Sequence, residues 1–257
     1  MPTNFSFGMS NNRQFFGKRG EGLKVFTIAD LHLSLDGTKP MDIFSGWENY
    51  VERIQENWER LIDPEDTVVL AGDISWGMSM EQALVDFRFL DALPGHKLII
   101  KGNHDYWFST ASKMSRFFEQ NGLNSLKIIH NNCAETGEIA VCGSRGWMLD
   151  SEEEHNHKVY LREVGRLETS LKEGAKTGKE PVAFLHYPPV YQNNCCEEML
   201  EVMRRYGVKR CFYGHIHGSG AQYAFQGEYG GIHFRLVSAD YLKFTPILVP
   251  SGENSDR

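Results

Sequence analysis

The sequence predicts an α/β fold, because short apolar segments typical of buried strands alternate along the chain with longer segments of helical periodicity. Hydrophobic residues make up 41% of the 257 residues and charged residues 24%, so we expect a compact globular chain with a sizeable core. This length fits one large domain or two small ones. Because no convincing boundary interrupts the pattern, we interpret residues 1–257 as one domain that begins with an irregular arm at 1–22.

Two strand–helix–strand units account for the first half of the chain. Each strand is an apolar, β-branched run, and each helix is amphipathic. The predicted strands are 23–29, 67–72 and 97–101, and the predicted helices are 45–61, 79–90 and 110–120. Ser45-Gly-Trp-Glu48 and Ser79-Met-Glu-Gln82 have the spacing of capping boxes. We therefore expect one helix to start at each of these two segments.

The second half is predicted to supply further strands and two more helices. The predicted strands are 126–130, 138–143, 182–185 and 209–213, and one of the helices covers 197–206. The charged segment 151–172 opens with a third capping box, Ser151 to Glu154, and carries only a thin apolar stripe, which predicts a mostly solvated helix. Short aromatic and β-branched runs at 222–249 predict antiparallel strands that complete the sheet.

Polar side chains stand directly after five of the predicted strands. They are Asp30 and His32, Asp73, Asn103 and His104, His186, and His215 and His217. Because the strand ends on one side of an α/β sheet form a single crevice, we expect these side chains to converge. Their convergence would create a candidate metal site.

The donor types indicate which metals such a site would prefer. Oxygen and imidazole donors without a thiolate suit Mn²⁺, Fe or Zn²⁺ better than a structural Cys-rich zinc site. Asp30 and His32 are two residues apart in a segment that we predict to be extended, so both side chains should point to one face. The same argument applies to His215 and His217. Asp73, with no His in its own loop, is the candidate to bridge two cations about 3.5 to 4 Å apart.

Charge and cysteine usage exclude several classes of protein. A formal net charge of -7 argues against a general nucleic-acid binder, whose affinity depends on Lys and Arg. The five cysteines are an odd number without C-x-x-C spacing, unlike a secreted disulfide framework. Neither a signal peptide nor an apolar run approaching about 20 residues is present. We therefore expect a cytoplasmic protein that does not bind a membrane.

Five ordered motifs resemble those of calcineurin-like metallophosphoesterases. They are D-x-H at 30–32, G-D at 72–73, G-N-H-D at 102–105, the strand-end His186, and G-H-x-H at 214–217. The resemblance implies a four-layer αββα sandwich, with two mixed β-sheets flanked by helices, and a site for two metal ions. It implies that Mn²⁺ is the preferred metal, with Fe or Zn²⁺ as alternatives.

The resemblance also implies a role for each motif residue. One ion would be held by Asp30, His32, Asp73 and His217, and the other by Asp73, Asn103, His186 and His215. A protonated His104 would contact the phosphate and assist departure of the leaving group, and Asp105 would orient its ring. The implied activity is hydrolysis of a small-molecule phosphate ester by a hydroxide that the two metal ions activate.

Several alternatives remain open at this stage. Phosphomonoesterase and phosphodiesterase are not distinguished, since substrate choice would depend on loops such as 34–46, 144–158 and 187–196. A non-catalytic relative that uses the fold as a binding surface should have lost ligands, and none is lost here. The segment after Asp73 lacks the Asp-Arg-Gly of protein Ser/Thr phosphatases, which argues against that activity, although Arg145 could replace the missing arginine. Aromatic residues beside the motifs could form a wall for the leaving group or simply pack in the core.

Overall fold

The computed structural model describes residues 23–148 and 157–250. Its strands are β1 (Val25–Ile28), β2 (Thr67–Ala71), β3 (His96–Ile100), β4 (Leu126–Ile128), β5 (Cys133–Thr136), β6 (Ile139–Ser144), β7 (Glu180–Leu185), β8 (Val190–Tyr191), β9 (Asn194–Cys195), β10 (Arg210–Tyr213), β11 (Gly227–Tyr229), β12 (Ile232–Leu236) and β13 (Ile247–Leu248). Its α-helices are α1 (Tyr50–Leu61), α2 (Leu84–Ala92), α3 (Ala111–Gln120), α4 (His157–Ala175) and α5 (Glu197–Arg205), and Gly218–Tyr223 forms a 3₁₀ helix.

The strands form two large mixed sheets. The first has the order β13-β1-β2-β3-β4, in which β1 to β4 are parallel and β13 is antiparallel to β1. The second has the order β11-β12-β10-β7-β6-β5, with four parallel central strands and an antiparallel strand at each edge. Strands β8 and β9 form a separate small hairpin.

The two sheets pack against each other between two layers of helices. In β2, Val69 and Ala71 contact the second sheet, whereas Val68 and Leu70 pack against α1, α2 and α3. In β7, the residues alternate in the same way between the first sheet and the layer of α4 and α5. Because successive side chains of a strand point to opposite faces, each apolar run serves two cores. The expected four-layer αββα sandwich is confirmed.

Helix α4 is more buried than its charged sequence predicts. Seven of its residues are buried, including Leu167 and Leu171 at 0% exposure, and Ser170 donates a hydrogen bond to the carbonyl oxygen of Asn132. Most of its other residues are exposed, so the predicted solvated face is present, but the buried face is wider than a thin apolar stripe. Its buried face includes small and polar residues such as Ser170 and Gly174, which the apolar stripe alone does not reveal. The third capping box, Ser151 to Glu154, lies outside the described residues.

The capping boxes predict the helix starts poorly. Helix α1 begins at Tyr50 after Asn49, which makes no side-chain capping hydrogen bond, and Glu48 instead accepts a hydrogen bond from the Gly46 N–H. At the second box, the Ser79 hydroxyl accepts from the Gln82 N–H at 3.3 Å, but α2 begins only at Leu84. Both segments are turns that precede a helix.

The C-terminal strands do not all complete one sheet. β11 and β12 pair antiparallel, but β12 runs parallel to β10, and β13 pairs with β1 in the first sheet. The sequence also did not reveal β5, which forms a hairpin with β6. No helix within 23–148 and 157–250 is both long and apolar enough to cross a membrane.

Candidate metal centre

The ends of β1, β2 and β3 in the first sheet meet the ends of β7 and β10 in the second. The Asp30 N–H donates to the carbonyl oxygen of Gly72 at 2.9 Å, which ties the loop after β1 to the loop after β2. The His215 N–H donates to Oδ2 of Asp30 at 2.8 Å, which joins the two sheets. The polar residues thus converge as expected, although the crevice lies between two sheets rather than along one.

One group of ligand atoms is compact enough to hold a metal ion. The ligand atoms of Asp30, His32, Asp73 and His217 all lie within 4.8 Å of one another. Nε2 of His32 is 3.2 Å from Nε2 of His217 and 3.7 Å from Oδ2 of Asp73. Nε2 of His217 is 3.8 Å from Oδ1 of Asp30. These are the four residues expected to share one ion.

A second group of ligand atoms lies on the other side of Asp73. Oδ1 of Asn103 is 2.6 Å from Nε2 of His186 and 2.9 Å from Nδ1 of His215. Nε2 of His186 is also 3.5 Å from Oδ1 of Asp73. The two carboxylate oxygens of Asp73 therefore face different groups, Oδ2 towards His32 and Oδ1 towards His186. This arrangement fits a carboxylate that bridges two cations.

Unpaired carboxylate oxygens at this site match the needs of bound cations. Oδ1 of Asp30 and Oδ2 of Asp73 are buried and have no hydrogen-bond partner among the described residues. Burying a carboxylate oxygen without a partner is costly unless a metal ion or a charge compensates it. With imidazole nitrogens beside these oxygens, the donor set suits Mn²⁺, Fe or Zn²⁺. The residues fit the two metal ions that the motifs imply.

Burial opposes charge at the individual ligands. Burial raises the pKa of Asp30 to about 6, although the positive charge of His217 acts in the opposite direction. Burial, followed by the charges of Asp105 and Asp30, raises the pKa of Asp73 well above its ordinary value. The pKa of His32 lies well below its ordinary value, mainly because of burial. Neutral imidazole is the form that ligates a metal, and cations would compensate the carboxylates.

A carbonyl oxygen lies within hydrogen-bond distance of the His186 ring, and a carboxylate lies close to the His217 ring. Nδ1 of His186 lies 3.2 Å from the carbonyl oxygen of Ala71, which leaves Nε2 for the site. Nδ1 of His217 lies 3.8 Å from Oδ1 of Asp240, whose carboxylate also accepts hydrogen bonds from the N–H groups of Gly218 and Tyr241. Burial alone would lower the pKa of His217, but Asp30 and Asp240 raise it. Partners of this kind fix ring orientation at metal sites.

Sequence reasoning missed Asp240. The residue follows the end of β12, and its backbone is part of the turn that brings the chain back towards β1. A polar residue after a strand end was the signal that identified the other ligands, and it could have identified Asp240 too. The short runs at 222–249 predict only antiparallel strands, so this pattern does not mark a strand that ends at the site.

The ligand loops have an unusual backbone conformation. Asp30, His32, Asp73 and His215 have positive φ angles of 59°, 46°, 53° and 71°. Such angles are uncommon for residues other than Gly and persist where the surrounding structure imposes them. The backbone is therefore not extended at Asp30 and His32, and the prediction that an extended segment brings both side chains to one face is wrong. Their side chains converge because the chain twists at both residues.

Glycines in the motifs make room for the ligands. Gly72 has a φ of +94°, and a Cβ atom there would lie 2.6 Å from Nδ1 of His186. A Cβ atom on Gly214 would lie 2.5 Å from Oδ2 of Asp30. Both distances are too short for real contacts, so these positions require Gly.

Asp105 fixes the backbone of two ligand loops. Its Oδ2 accepts hydrogen bonds from the N–H groups of Gly102 at 2.7 Å and Asp73 at 3.0 Å. Its Oδ1 accepts from the Ile74 N–H at 2.8 Å and from Nε1 of Trp107 at 3.0 Å. The expectation that Asp105 orients the His104 ring is not met, because backbone and indole donors occupy its carboxylate.

The His104 ring lies at the mouth of the site. Its Nδ1 is 3.2 Å from the Tyr106 hydroxyl, and its ring centroid lies 4.6 Å from that of Trp76 and 5.8 Å from that of His32. Burial, followed by the positive charges of His217 and Lys39, lowers the pKa of His104. The neutral ring is therefore favoured at pH 7, contrary to the expected protonated form.

Arg145 has a partner of its own. Its guanidinium lies 3.5 Å from Oε1 of the buried Glu163 and over the rings of Trp147 and Tyr187, with centroid distances of 5.6 and 5.7 Å. The carbonyl oxygen of Arg145 accepts hydrogen bonds from the N–H groups of His186 and Tyr187. These contacts give the residue a role in positioning the loop that carries His186.

Comparisons with known proteins identify a family and several structural neighbours. The family described as Calcineurin-like phosphoesterase matches residues 23–219. The Phosphopantetheinyl Hydrolase (PptH) from Mycobacterium tuberculosis has 12% identity and a TM-score of 0.55, over 92% of this chain and 99% of its own. The protein of unknown function AQ665 from Aquifex aeolicus has 15% identity and a TM-score of 0.49, over 88% and 95%.

A purple acid phosphatase, PPD1 from yellow lupin (Lupinus luteus), has 15% identity and a TM-score of 0.46, over 77% of this chain and 38% of its own. No curated protein matches the sequence. At these identities a structural likeness bears on the fold alone, so the assignment depends on the family match, which covers most of the chain. This chain belongs to the calcineurin-like phosphoesterase family.

Proposed function

We propose that this protein hydrolyses a small-molecule phosphate ester with the help of two metal ions. The observation that carries the proposal is the position of Asp73, whose two buried oxygens face two separate groups of ligands. Two cations held there would neutralise phosphoryl oxygens and lower the pKa of a bound water towards 7. Mn²⁺ is the first metal to test, with Fe and Zn²⁺ as alternatives that suit the same donors.

The side chains divide the work between them. In this proposal one ion is held by Asp30, His32, Asp73 and His217, and the other by Asp73, Asn103, His186 and His215. His104 donates a hydrogen bond to the substrate from Nε2, since the Tyr106 hydroxyl can donate to Nδ1. Asp105 contributes by holding the loops that carry Asp73 and Asn103.

The first test compares two substrates. Purified protein with Mn²⁺ should hydrolyse p-nitrophenyl phosphate or bis-p-nitrophenyl phosphate, and a chelator should abolish turnover. The ratio of the two rates distinguishes a monoesterase from a diesterase. No turnover with Mn²⁺, Zn²⁺, Fe²⁺ or Ni²⁺ would instead favour a non-catalytic binding protein of the same fold.

A second test separates catalysis from metal binding. The His104→Ala variant should keep its bound metal, measured by elemental analysis, and lose activity by about 10² to 10⁴-fold. His96→Ala is the matched control, because His96 is an exposed histidine at the start of β3. Loss of metal from His104→Ala would show that His104 acts as a ligand, contrary to the proposal.

A further inference from the structure

An apolar cavity opens directly beside the candidate metal centre. Its volume is about 510 Å³, and three of its lining residues, His32, His104 and His217, belong to the site described above. Much of the remaining wall consists of Met41, Phe44, Trp47 and Trp76. A second cavity of about 290 Å³ adjoins it, because Met41, Phe44 and Trp76 line both. This apolar wall is open to the alcohol portion of a ligand whose phosphate lies at the metal centre.

The base of the loop that supplies this wall is well anchored. Trp47 is 5% exposed and makes an edge contact with Phe244, with ring centroids 5.0 Å apart. The Leu35 N–H donates to Oδ1 of Asp86 at 2.9 Å, and Met41 is 9% exposed. These contacts fix the loop against the first helical layer.

The tip of the same loop leaves apolar surface uncovered. Ile43 is 75% exposed and Phe44 is 52% exposed, and both line the second cavity. Exposed apolar residues that border a cavity and contribute little to the core mark a binding surface. Phe44 therefore lines both cavities while about half of its side chain stays exposed to solvent.

Trp76 connects the apolar wall to the metal centre. Its ring stacks on the ring of His32 at a centroid distance of 4.8 Å and an interplanar angle of 23°. Lys39 lies with its ammonium group 4.1 Å from the centroid of the same ring. The Trp76 indole therefore contacts His32, a candidate metal ligand, and lines both cavities.

We propose that this cavity binds the alcohol portion of the substrate and that this portion is apolar, with Phe44 as a specificity-determining residue. The inference rests on the proposed phosphoesterase function. An aryl or other apolar group would gain contacts with Met41, Phe44, Trp47 and Trp76, whereas a strongly hydrated alcohol would lose its water against these four side chains. In this proposal, substrate preference is determined by the loop 34–48, which carries Met41, Phe44 and Trp47, rather than by the residues that hold the metal ions.

The test compares how one variant treats two substrates. Phe44→Ala should lower kcat/KM for 1-naphthyl phosphate about tenfold and for glycerol 3-phosphate less than twofold. For each substrate, kcat/KM of the variant is divided by kcat/KM of the unmodified protein, so differences in leaving-group reactivity between the two substrates cancel. Phe44→Leu should keep most of the kcat/KM for 1-naphthyl phosphate that Phe44→Ala loses, because Leu is an apolar side chain. Leu161→Ala is the control, since Leu161 is exposed on α4, in the helical layer that covers the other sheet.

Binding provides a readout that does not need turnover. Binding of 1-naphthylphosphonate to the metal-loaded protein is measured by tryptophan fluorescence. It should be about tenfold weaker when Phe44 is replaced by Ala. Turnover of both substrates with equal effects of Phe44→Ala would overturn the cavity proposal and leave the phosphoesterase function intact. Absence of turnover together with weaker phosphonate binding by Phe44→Ala would refute the function and retain the cavity. Unchanged phosphonate binding by that variant would overturn the cavity proposal in either case.

Discussion

Replacement of Asp105 by Asn tests whether this carboxylate supports two ligand loops or orients the His104 ring. The Asp105 side chain is 1% exposed and accepts hydrogen bonds from five donors, of which the four closest are shared equally between its two oxygens. Asn keeps one acceptor oxygen and turns an NH₂ group towards the other two donors. Leaving a buried donor unsatisfied costs about 1 to 3 kcal/mol, so two such donors would cost about 2 to 6 kcal/mol. Relief of the buried charge offsets part of this cost, and we expect a net destabilisation of about 2 to 4 kcal/mol.

The assay is urea unfolding of the metal-free protein, with Asp63→Asn as the control because Asp63 is an exposed aspartate in a turn. Asp105→Asn should also bind Mn²⁺ more weakly, since the Asp73 loop loses its anchor. A free energy of unfolding within about 0.5 kcal/mol of the unmodified protein would refute this reasoning, because surface substitutions typically fall within that range. Lost activity with normal stability and normal metal affinity would support the original expectation that Asp105 acts on His104.

Two further predictions concern the metal centre itself. Burial raises the pKa of Asp30 to about 6. Ionisation of this group therefore destabilises the metal-free protein as pH rises from about 4 to 6. The carboxylate that a metal ion needs is lost as pH falls below about 6. Calorimetric titration with Mn²⁺ should therefore show weaker binding at pH 5 than at pH 7, and equal affinities would contradict the pKa shift. Replacement of Asp240 by Asn should weaken Mn²⁺ binding about 10 to 100-fold through the loss of the carboxylate beside His217, while the exposed control Asp42→Asn should leave it unchanged.

The positions of the candidate ligand residues were predictable because each follows a strong strand signal. Runs such as 67–72 and 97–101 are apolar enough to identify buried strands, and the next residues are polar. In the structure these strands are Thr67–Ala71 and His96–Ile100, and the polar residues stand where the strands end. The physical link is that residues at a strand end leave the apolar core with their side chains beside neighbouring strand ends.

The division into two sheets was not predictable from the same signals. An apolar run shows that a strand is buried on both faces, but it does not show which strands are its neighbours. Here β3 and β7 lie in different sheets, and yet Asn103 and His186 meet with ligand atoms 2.6 Å apart. Only the resemblance of the ordered motifs to a family provided that information.

The loop geometry also exceeded what the sequence could reveal. The positive φ angles of Asp30, His32 and Asp73 depend on contacts made by residues far along the chain. The Asp73 N–H, for example, donates to Asp105, which lies 32 positions later. A local sequence pattern does not encode such distant pairs. The sequence therefore predicts that Asp105 acts on His104, its neighbour in the chain, and does not reveal the loops that Asp105 contacts.

The shared position of Asp73 has a thermodynamic consequence. In the proposed two-metal centre, one carboxylate would serve both cations, so their affinities would form one linked equilibrium. The first ion would fix the Asp73 side chain for the second and would also repel it through its own charge. The measurable outcome is an interaction free energy between the two binding events, and replacing Asp73 should abolish that coupling together with both sites.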